Sequence, residues 1–226
     1  FLHFAATLIG HATDWNPPRQ LLRAGLYWPD LAKPDIGALR DVWQIGAPVA
    51  VITFYKALLQ AGTLAPIDAL IDALSRRGIN PLPIYISSLK DPVSVELLTS
   101  ICEETAPSIV LNATGFAVSQ PGAPRAETAF DAMGCPVLQV VLGGSTHAAW
   151  EANVQGLSPK DLAMNVVLPE VDGRILARAI SFKSEARYDP ETEISVAYHE
   201  VVQDRVNFTA DLAARWVQLA KTPAQD

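Results

Sequence analysis

With 226 residues, 50% of them hydrophobic, the chain can bury a sizeable core, and a single α/β domain of this size is ordinary. Its net charge of −7 and pI near 5.1 exclude a surface built to meet the phosphates of nucleic acid or of an anionic membrane. Such a surface needs clustered Lys and Arg, and the basic residues here are scattered. No stretch approaches the roughly 20 apolar residues of a membrane-spanning helix, so a soluble chain is expected.

In residues 1–12, Leu2, Phe4, Ala5, Leu8 and Ile9 form an amphipathic pattern that predicts a short helix. Asp14-Trp15-Asn16-Pro17-Pro18 stops it, because proline neither donates nor continues the turn. The chain opens at Phe1 inside this pattern, without a methionine, which reads as a piece of something longer. Residues 19–47 read as mostly irregular, with a helical patch over 36–43. Trp15, Trp28 and Trp43 mark residues 1–47 as a lid or docking segment, since rings that large are rarely left in solvent. Residues 48–226 then form the α/β domain.

The first strong strand is predicted over 48–55, entered at Pro48. In residues 66–77, Ile67, Leu70, Ile71 and Leu74 give the stripe of an amphipathic helix, closed by Arg76, Arg77 and Gly78. A second strand follows over 82–86, then a helix over 91–104 with Asp91 as N-cap and Pro92 in its first turn. Residues 108–118, Ser-Ile-Val-Leu-Asn-Ala-Thr-Gly-Phe-Ala-Val, are a short apolar run ending in turn residues. This fits a strand buried on both faces. Further on, the pattern predicts a loop over 120–124, a helix over 126–133, a strand over 136–142 and a helix over 147–153. A helix start at Ser158-Pro159-Lys160-Asp161, a strand over 165–168 and a turn over 168–173 come next. The last segments read as an antiparallel strand over 175–182, a polar loop over 185–193 and a closing helix over 203–220. Alternation at this spacing predicts a doubly wound, mostly parallel sheet with flanking helices, Rossmann-like or flavodoxin-like. Ligands of such sheets sit at the carboxyl edge.

Cys102 and Cys135 fit neither a disulfide framework nor a metal motif and read as small buried hydrophobes in a reducing compartment. The sequons at Asn112 and Asn207 fall on a core strand and a helix, so they read as coincidence. The chain has no phosphate loop, no Gly-x-Gly-x-x-Gly and no His-Glu-x-x-His. Gly143-Gly144-Ser145-Thr146-His147 matches a nucleophile elbow only in part. His147, just past a strand end, is either a metal or substrate contact or a locally bonded helix-terminal histidine. Thr114, Gly115 and Phe116 offer a hydroxyl and a backbone free to take positive φ, or simply a tight turn. Glu170, with Asp172 nearby, is a proton acceptor or an oxygen ligand, or a turn cap. Tyr55 and Lys56 end the first strong strand and face the same choice.

Six segments in order carry a resemblance: Pro-Val-Ala-Val-Ile-Thr-Phe-Tyr-Lys, Arg-Arg-Gly-Ile-Asn-Pro-Leu-Pro-Ile-Tyr, Leu-Asn-Ala-Thr-Gly-Phe-Ala, Cys-Pro-Val-Leu-Gln, Val-Val-Leu-Pro-Glu-Val-Asp-Gly and the closing helix over 205–219. Together they resemble the cobaltochelatase large-subunit (CobN) family and are similar, more weakly, to the porphyrin-binding H subunit of magnesium chelatase. The resemblance implies one internal domain of a longer, cytoplasmic subunit that binds a tetrapyrrole. The substrates would be Co2+ and hydrogenobyrinic acid a,c-diamide, on the aerobic route to cobalamin. ATP and Mg2+ would be bound by separate AAA+ partner subunits, and the isolated segment is expected to be inactive. Position and chemistry, not the resemblance, nominate Glu170 and His147 as catalytic and Tyr55, Thr114, Gly115 and Phe116 as substrate-binding. The competing readings are a docking domain without substrate contact, a magnesium chelatase H-type subunit, and a sensor of the periplasmic-binding type. The sensor needs a signal peptide and a second lobe.

Overall fold

The computed structural model describes residues 2–12, 22–31, 33–185, 187–191 and 193–221. Trp15 and the proline break around it lie outside them. The apolar runs become five parallel strands inside a seven-stranded sheet. At one edge β1 (Ala24–Leu26) runs antiparallel to β3 (Asn80–Ile86). Next come β2 (Val49–Tyr55), β4 (Ile109–Asn112), β5 (Val137–Gly143) and β6 (Ile175–Lys183), all parallel. An antiparallel β9 (His199–Val201) closes the far edge.

The chain steps one way from β2 to β3 through α4 (Ala65–Ser75), then back across β2 to β4 through α5 (Pro92–Thr105). Right-handed crossovers place helices from opposite steps on opposite faces. Packing agrees. Ala50, Ile52 and Phe54 meet Ile67, Leu70 and Leu74 of α4 and Val206, Ala210 and Ala213 of α9 (Gln203–Lys221). Val49 and Val51, the alternate positions of the same strand, meet Leu98 and Cys102 of α5 and Leu39 of α2 (Ile36–Val42). Two-residue alternation between two apolar layers is what a continuously apolar strand demands.

Local signals hold at several ends. Asp91 caps α5 by accepting from Ser94 N–H at 3.1 Å, and Gly78 takes φ +66° just past α4. α1 (Leu2–Leu8) forms but buries none of its residues. The lead-in docks on its own sheet. Trp43 Nε1 donates to Pro81 O at 3.0 Å, and the Tyr27 hydroxyl donates to Asp68 at 2.7 Å. Trp28 and Trp43 pack against the two core layers. Gly25 is required because a Cβ there would collide with the Tyr85 ring.

Five expectations are corrected. Residues 19–47 contain β1; α3 (Lys56–Ala61), directly after β2, falls where the pattern predicts no element and adds to the five. The helix expected over 126–133 shrinks to a 3₁₀ turn, Asp131–Met133, because side chains take its backbone donors. Ala126 N–H goes to Ser119 Oγ, Thr128 N–H to the Asp131 carboxylate, and Phe130 N–H to Thr128 Oγ1. The strand expected over 165–168 is helical. α7 (Pro159–Leu162), capped by Ser158, runs into a π-helical turn, Ala163–Val167, and then α8 (Leu168–Val171). A short apolar run such as Val166-Val167-Leu168 fits either element. With that stretch and α6 (His147–Ala152) forming a helical crossover, β6 pairs parallel to β5, not antiparallel. The polar loop over 185–193 contains β7 (Arg187–Asp189), paired with β8 (Ile194–Val196).

No helix among the described residues is long and apolar enough to cross a membrane. Asn112 is fully buried, which removes its sequon from the surface. Both cysteines are free, and burial pushes their thiols up to about 12 for Cys102 and about 11 for Cys135, so both stay protonated and unreactive at neutral pH.

Candidate functional site

At the carboxyl ends of β3, β2 and β4 the sheet opens into a cleft of about 340 Å³. Because β2 lies between β3 and β4, the walls come from the connections on either side of it, residues 88–90 and 115–121. Tyr55 at the end of β2 and Leu168 of α8 complete the lining. This is the point where the chain reverses its direction across the sheet, and such points leave a crevice in doubly wound folds.

The wall after β4 is fastened at both ends by the segment that holds Leu-Pro-Glu-Val-Asp-Gly. Leu168 N–H bonds back to Ala163 O in the π register, five residues away. In that register Met164 O would need a donor at position 169, where Pro169 has no N–H. The carbonyl is therefore free, and Phe116 N–H donates to it at 2.7 Å. Gly115 is demanded by the same approach, since a Cβ there would lie 2.9 Å from Asn165 Oδ1 and 3.1 Å from Met164 O. Its φ is not positive; Phe116 carries that conformation, at +62°. Gly115→Ala should consequently destabilise the chain by roughly 1–3 kcal/mol, as overpacking does, read as a lowered thermal midpoint.

The other fastening is Asp172, buried at 4% exposure. Its carboxylate accepts Val118 N–H at 2.7 Å and Ser119 N–H at 2.9 Å and pairs with Arg174 at 2.7 Å. Burial pushes the carboxyl up, but the Ser119 and Val118 amides and the Arg174 charge outweigh it and hold Asp172 below the usual carboxylate range. Arg174 is as buried as its partner. Its remaining contacts are long, 3.4 Å to Thr114 O and to Gln139 Oε1, and its Nε has no partner among the described residues.

Beneath the wall lies a buried polar layer. Asn112 Oδ1 accepts from Thr53 at 2.6 Å and from the Thr114 hydroxyl at 2.8 Å, while Asn112 Nδ2 donates to Gln139 Oε1 at 2.8 Å and Thr114 O at 2.9 Å.

Tyr55, Gly115 and Phe116 therefore meet in the cleft. The Tyr55 hydroxyl donates to Gly115 O at 3.1 Å; burial raises the phenol above its ordinary value, with Arg174 pulling the other way, so it stays a neutral donor. Thr114 lies under the cleft with its hydroxyl committed to Asn112. Glu170 is exposed on α8 and outside the lining. His147 opens α6 beyond β5, its ring 5.6 Å from Trp150 and 5.1 Å from Phe182, also outside the lining. Among the described residues, no group of three or more His, Cys, Asp or Glu is placed to hold a metal. Read from sequence, Asp172 stands only beside Glu170, in a proton acceptor, oxygen ligand or turn cap, and Arg174, Asn112, Gln139 and Lys90 have no site role. One signal was available. A glutamine inside the apolar Val-Leu-Gln-Val-Val-Leu strand must find a buried partner.

Comparison with known proteins places this arrangement. The chain matches the CobN/Magnesium Chelatase family model over residues 1–226. It is 47% identical to the aerobic cobaltochelatase subunit CobN of Sinorhizobium sp, over 100% of this chain and 18% of that protein. With the subunit of the same name from Pseudomonas aeruginosa it shares 37% identity, over 97% of this chain and 17% of that protein. The solved catalytic subunit of cobaltochelatase from Mycobacterium tuberculosis superposes with a TM-score of 0.74 at 26% identity, covering 97% of this chain and 18% of that one. The chain thus spans less than a fifth of the length of the relatives it matches. The match of the whole chain, in sequence and in fold, means that it belongs to the CobN/magnesium chelatase family.

Proposed function

We propose that this chain is a domain of the large, tetrapyrrole-binding subunit of a cytoplasmic, ATP-dependent cobaltochelatase, and that its cleft frames one edge of the macrocycle. The observation that carries this reading is 47% identity, maintained over the whole chain, with an aerobic cobaltochelatase subunit. The parallel strand order β3-β2-β4-β5-β6 supports a flavodoxin-like arrangement, whose ligands bind where the order reverses. Co2+ and hydrogenobyrinic acid a,c-diamide are the substrates; ATP and Mg2+ belong to AAA+ partner subunits. A cleft of about 340 Å³ lies at the small end of ligand pockets, which leaves the rest of the macrocycle to other parts of the subunit.

Metal insertion needs a base for the pyrrole protons and a group to hand over the metal. Glu170 and His147, both outside the cleft lining, are the candidates this chain offers. In the complete subunit, assayed for cobalt insertion with its partners, Glu170→Ala should lower the rate by about 10²-fold or more if Glu170 is that base; an unchanged rate removes it from the mechanism. A docking domain with no substrate contact is the second reading, favoured by the position of both candidates outside the cleft lining. Titration with the corrinoid precursor decides: affinity that is indifferent to substitutions in the cleft selects the docking role.

A further inference from the structure

Phe116 combines two features that folding alone does not explain. Its φ of +62° lies in the left-handed region, which a bulky side chain enters only under strain. The residue is 48% exposed, so the strain is not offset by burial in the core. Glycine, which takes this conformation freely, is the neighbouring residue, yet the positive φ falls on the phenylalanine. The surroundings hold it there from both sides. Met164 O accepts the Phe116 N–H, the Tyr55 hydroxyl donates to Gly115 O, and Asp172 accepts the next two amides but one, those of Val118 and Ser119. Strain over-determined in this way is typical of residues that clamp ligands.

Among the described residues, Lys90 is the one charged side chain in the lining of the same cleft. It follows β3, while Phe116 follows β4, and β2 separates these strands. Two strand spacings put the walls roughly 10 Å apart. On a chain of net charge −7, an acidic ligand approaches against the overall field, so a cation at the binding edge matters more than it would on a neutral protein.

We propose that Phe116 is held in its strained conformation to present its ring to the flat face of a conjugated ligand, and that Lys90, on the opposite wall, takes an acidic group on that ligand's edge. The proposal deepens the tetrapyrrole reading above and rests on it. It assigns the ligand-facing chemistry of this cleft: one stacking platform and one carboxylate contact.

The test uses the complete subunit, titrated with a metal-free porphyrin carrying two propionates and with its dimethyl ester, followed by the visible absorbance of the probe. Loss of stacking in Phe116→Gly should weaken both probes about ten-fold, while the relief of strain leaves the thermal midpoint unchanged or raised. Phe116→Tyr, which keeps the ring, should bind within about two-fold of the parent. Lys90→Gln should weaken the diacid about five-fold and leave the ester unaffected, the loss of one partly exposed charge contact. Parent-like affinity in Phe116→Gly overturns the platform, and equal effects of Lys90→Gln on acid and ester overturn the carboxylate contact. In both cases a parent that still binds leaves the tetrapyrrole reading standing. A parent that binds neither probe overturns this proposal and that reading together.

Discussion

Asp172→Ala should lower the stability of the chain by about 3–5 kcal/mol, the scale seen when one partner of a buried ion pair is removed. At roughly 2–4 °C per kcal/mol for a chain of this size, the thermal midpoint drops on the order of 10 °C. Two losses combine. Arg174 keeps its charge in the interior with long hydrogen bonds to Thr114 O and Gln139 Oε1 and the Phe130 ring 5.8 Å away, and the amides of Val118 and Ser119 lose their acceptor. The two can be separated with Asp172→Leu combined with Arg174→Met. If the ion pair dominates, the double variant recovers most of the loss, because replacing both charges by apolar groups is close to neutral. If anchoring the cleft wall dominates, it stays destabilised by roughly 1–3 kcal/mol for each amide left without a partner. The pH dependence follows from the depressed carboxyl. The folded-state value lies below the unfolded one of about 3.9, so the stabilisation is fully present above about pH 4 and is lost as pH falls through the lower folded value. Asp172→Asn, which cannot ionise, should therefore approach the parent in stability as the solution is acidified, read from denaturant midpoints across that range.

What the sequence made legible was governed by local physics. The strand at Val49–Tyr55 and the helix at Ala65–Ser75 follow from apolar runs and stripes, and the start of Pro92–Thr105 from Asp91 and Pro92. These signals depend on residues a few positions apart, so the chain order reveals them. The failures share the opposite property. Residues 126–133 have the composition of a helix, but the carboxylate of Asp131 and the hydroxyls of Ser119 and Thr128 take the amides that a helix would use. Residues 165–168 read as a strand because valine favours strands, and only the packing of the Ser158-capped helix onto the loop at Phe116 fixes the π turn over Ala163–Val167.

The candidate site divides in the same way. Thr-Gly-Phe-Ala and Leu-Pro-Glu-Val-Asp-Gly stood out as separate segments, yet the structure makes them one device: Met164 and Asp172 hold the ends of the loop that contains Phe116. About fifty residues lie between Val118 and Asp172, and no periodicity reports a bond across such a distance. The positive φ is a sharper case. Gly115 was the natural place for it, but close approach of Asn165 and Met164 explains that glycine, and the conformational strain sits one residue later.

Asn112→Leu should cost about 3–5 kcal/mol, although leucine is similar in size and apolar. Asn112 sits at zero exposure at the end of β4 and joins three parallel strands, accepting from Thr53 on β2 and bonding Gln139 on β5. Leucine would leave the Thr53 and Thr114 hydroxyls and Gln139 Oε1 short of a partner, and each buried polar group so stranded costs about 1–3 kcal/mol. Thr53→Val is the informative contrast. It removes one donor from Asn112 Oδ1, which keeps the Thr114 hydroxyl at 2.8 Å, so its loss should be about 1 kcal/mol. Denaturant midpoints with unchanged slope would report both as pure stability changes. A cost below about 1 kcal/mol for Asn112→Leu would mean that these side chains do not act as one network. The predicted order matters for the cleft as well, because Thr114 O accepts from Asn112, Gln139 and, at 3.4 Å, Arg174. Loosening that carbonyl frees the peptide leading into Gly115 and Phe116. Asn112→Leu should therefore weaken any ligand of the cleft beyond what its stability loss alone accounts for, whereas Thr53→Val should leave binding unchanged.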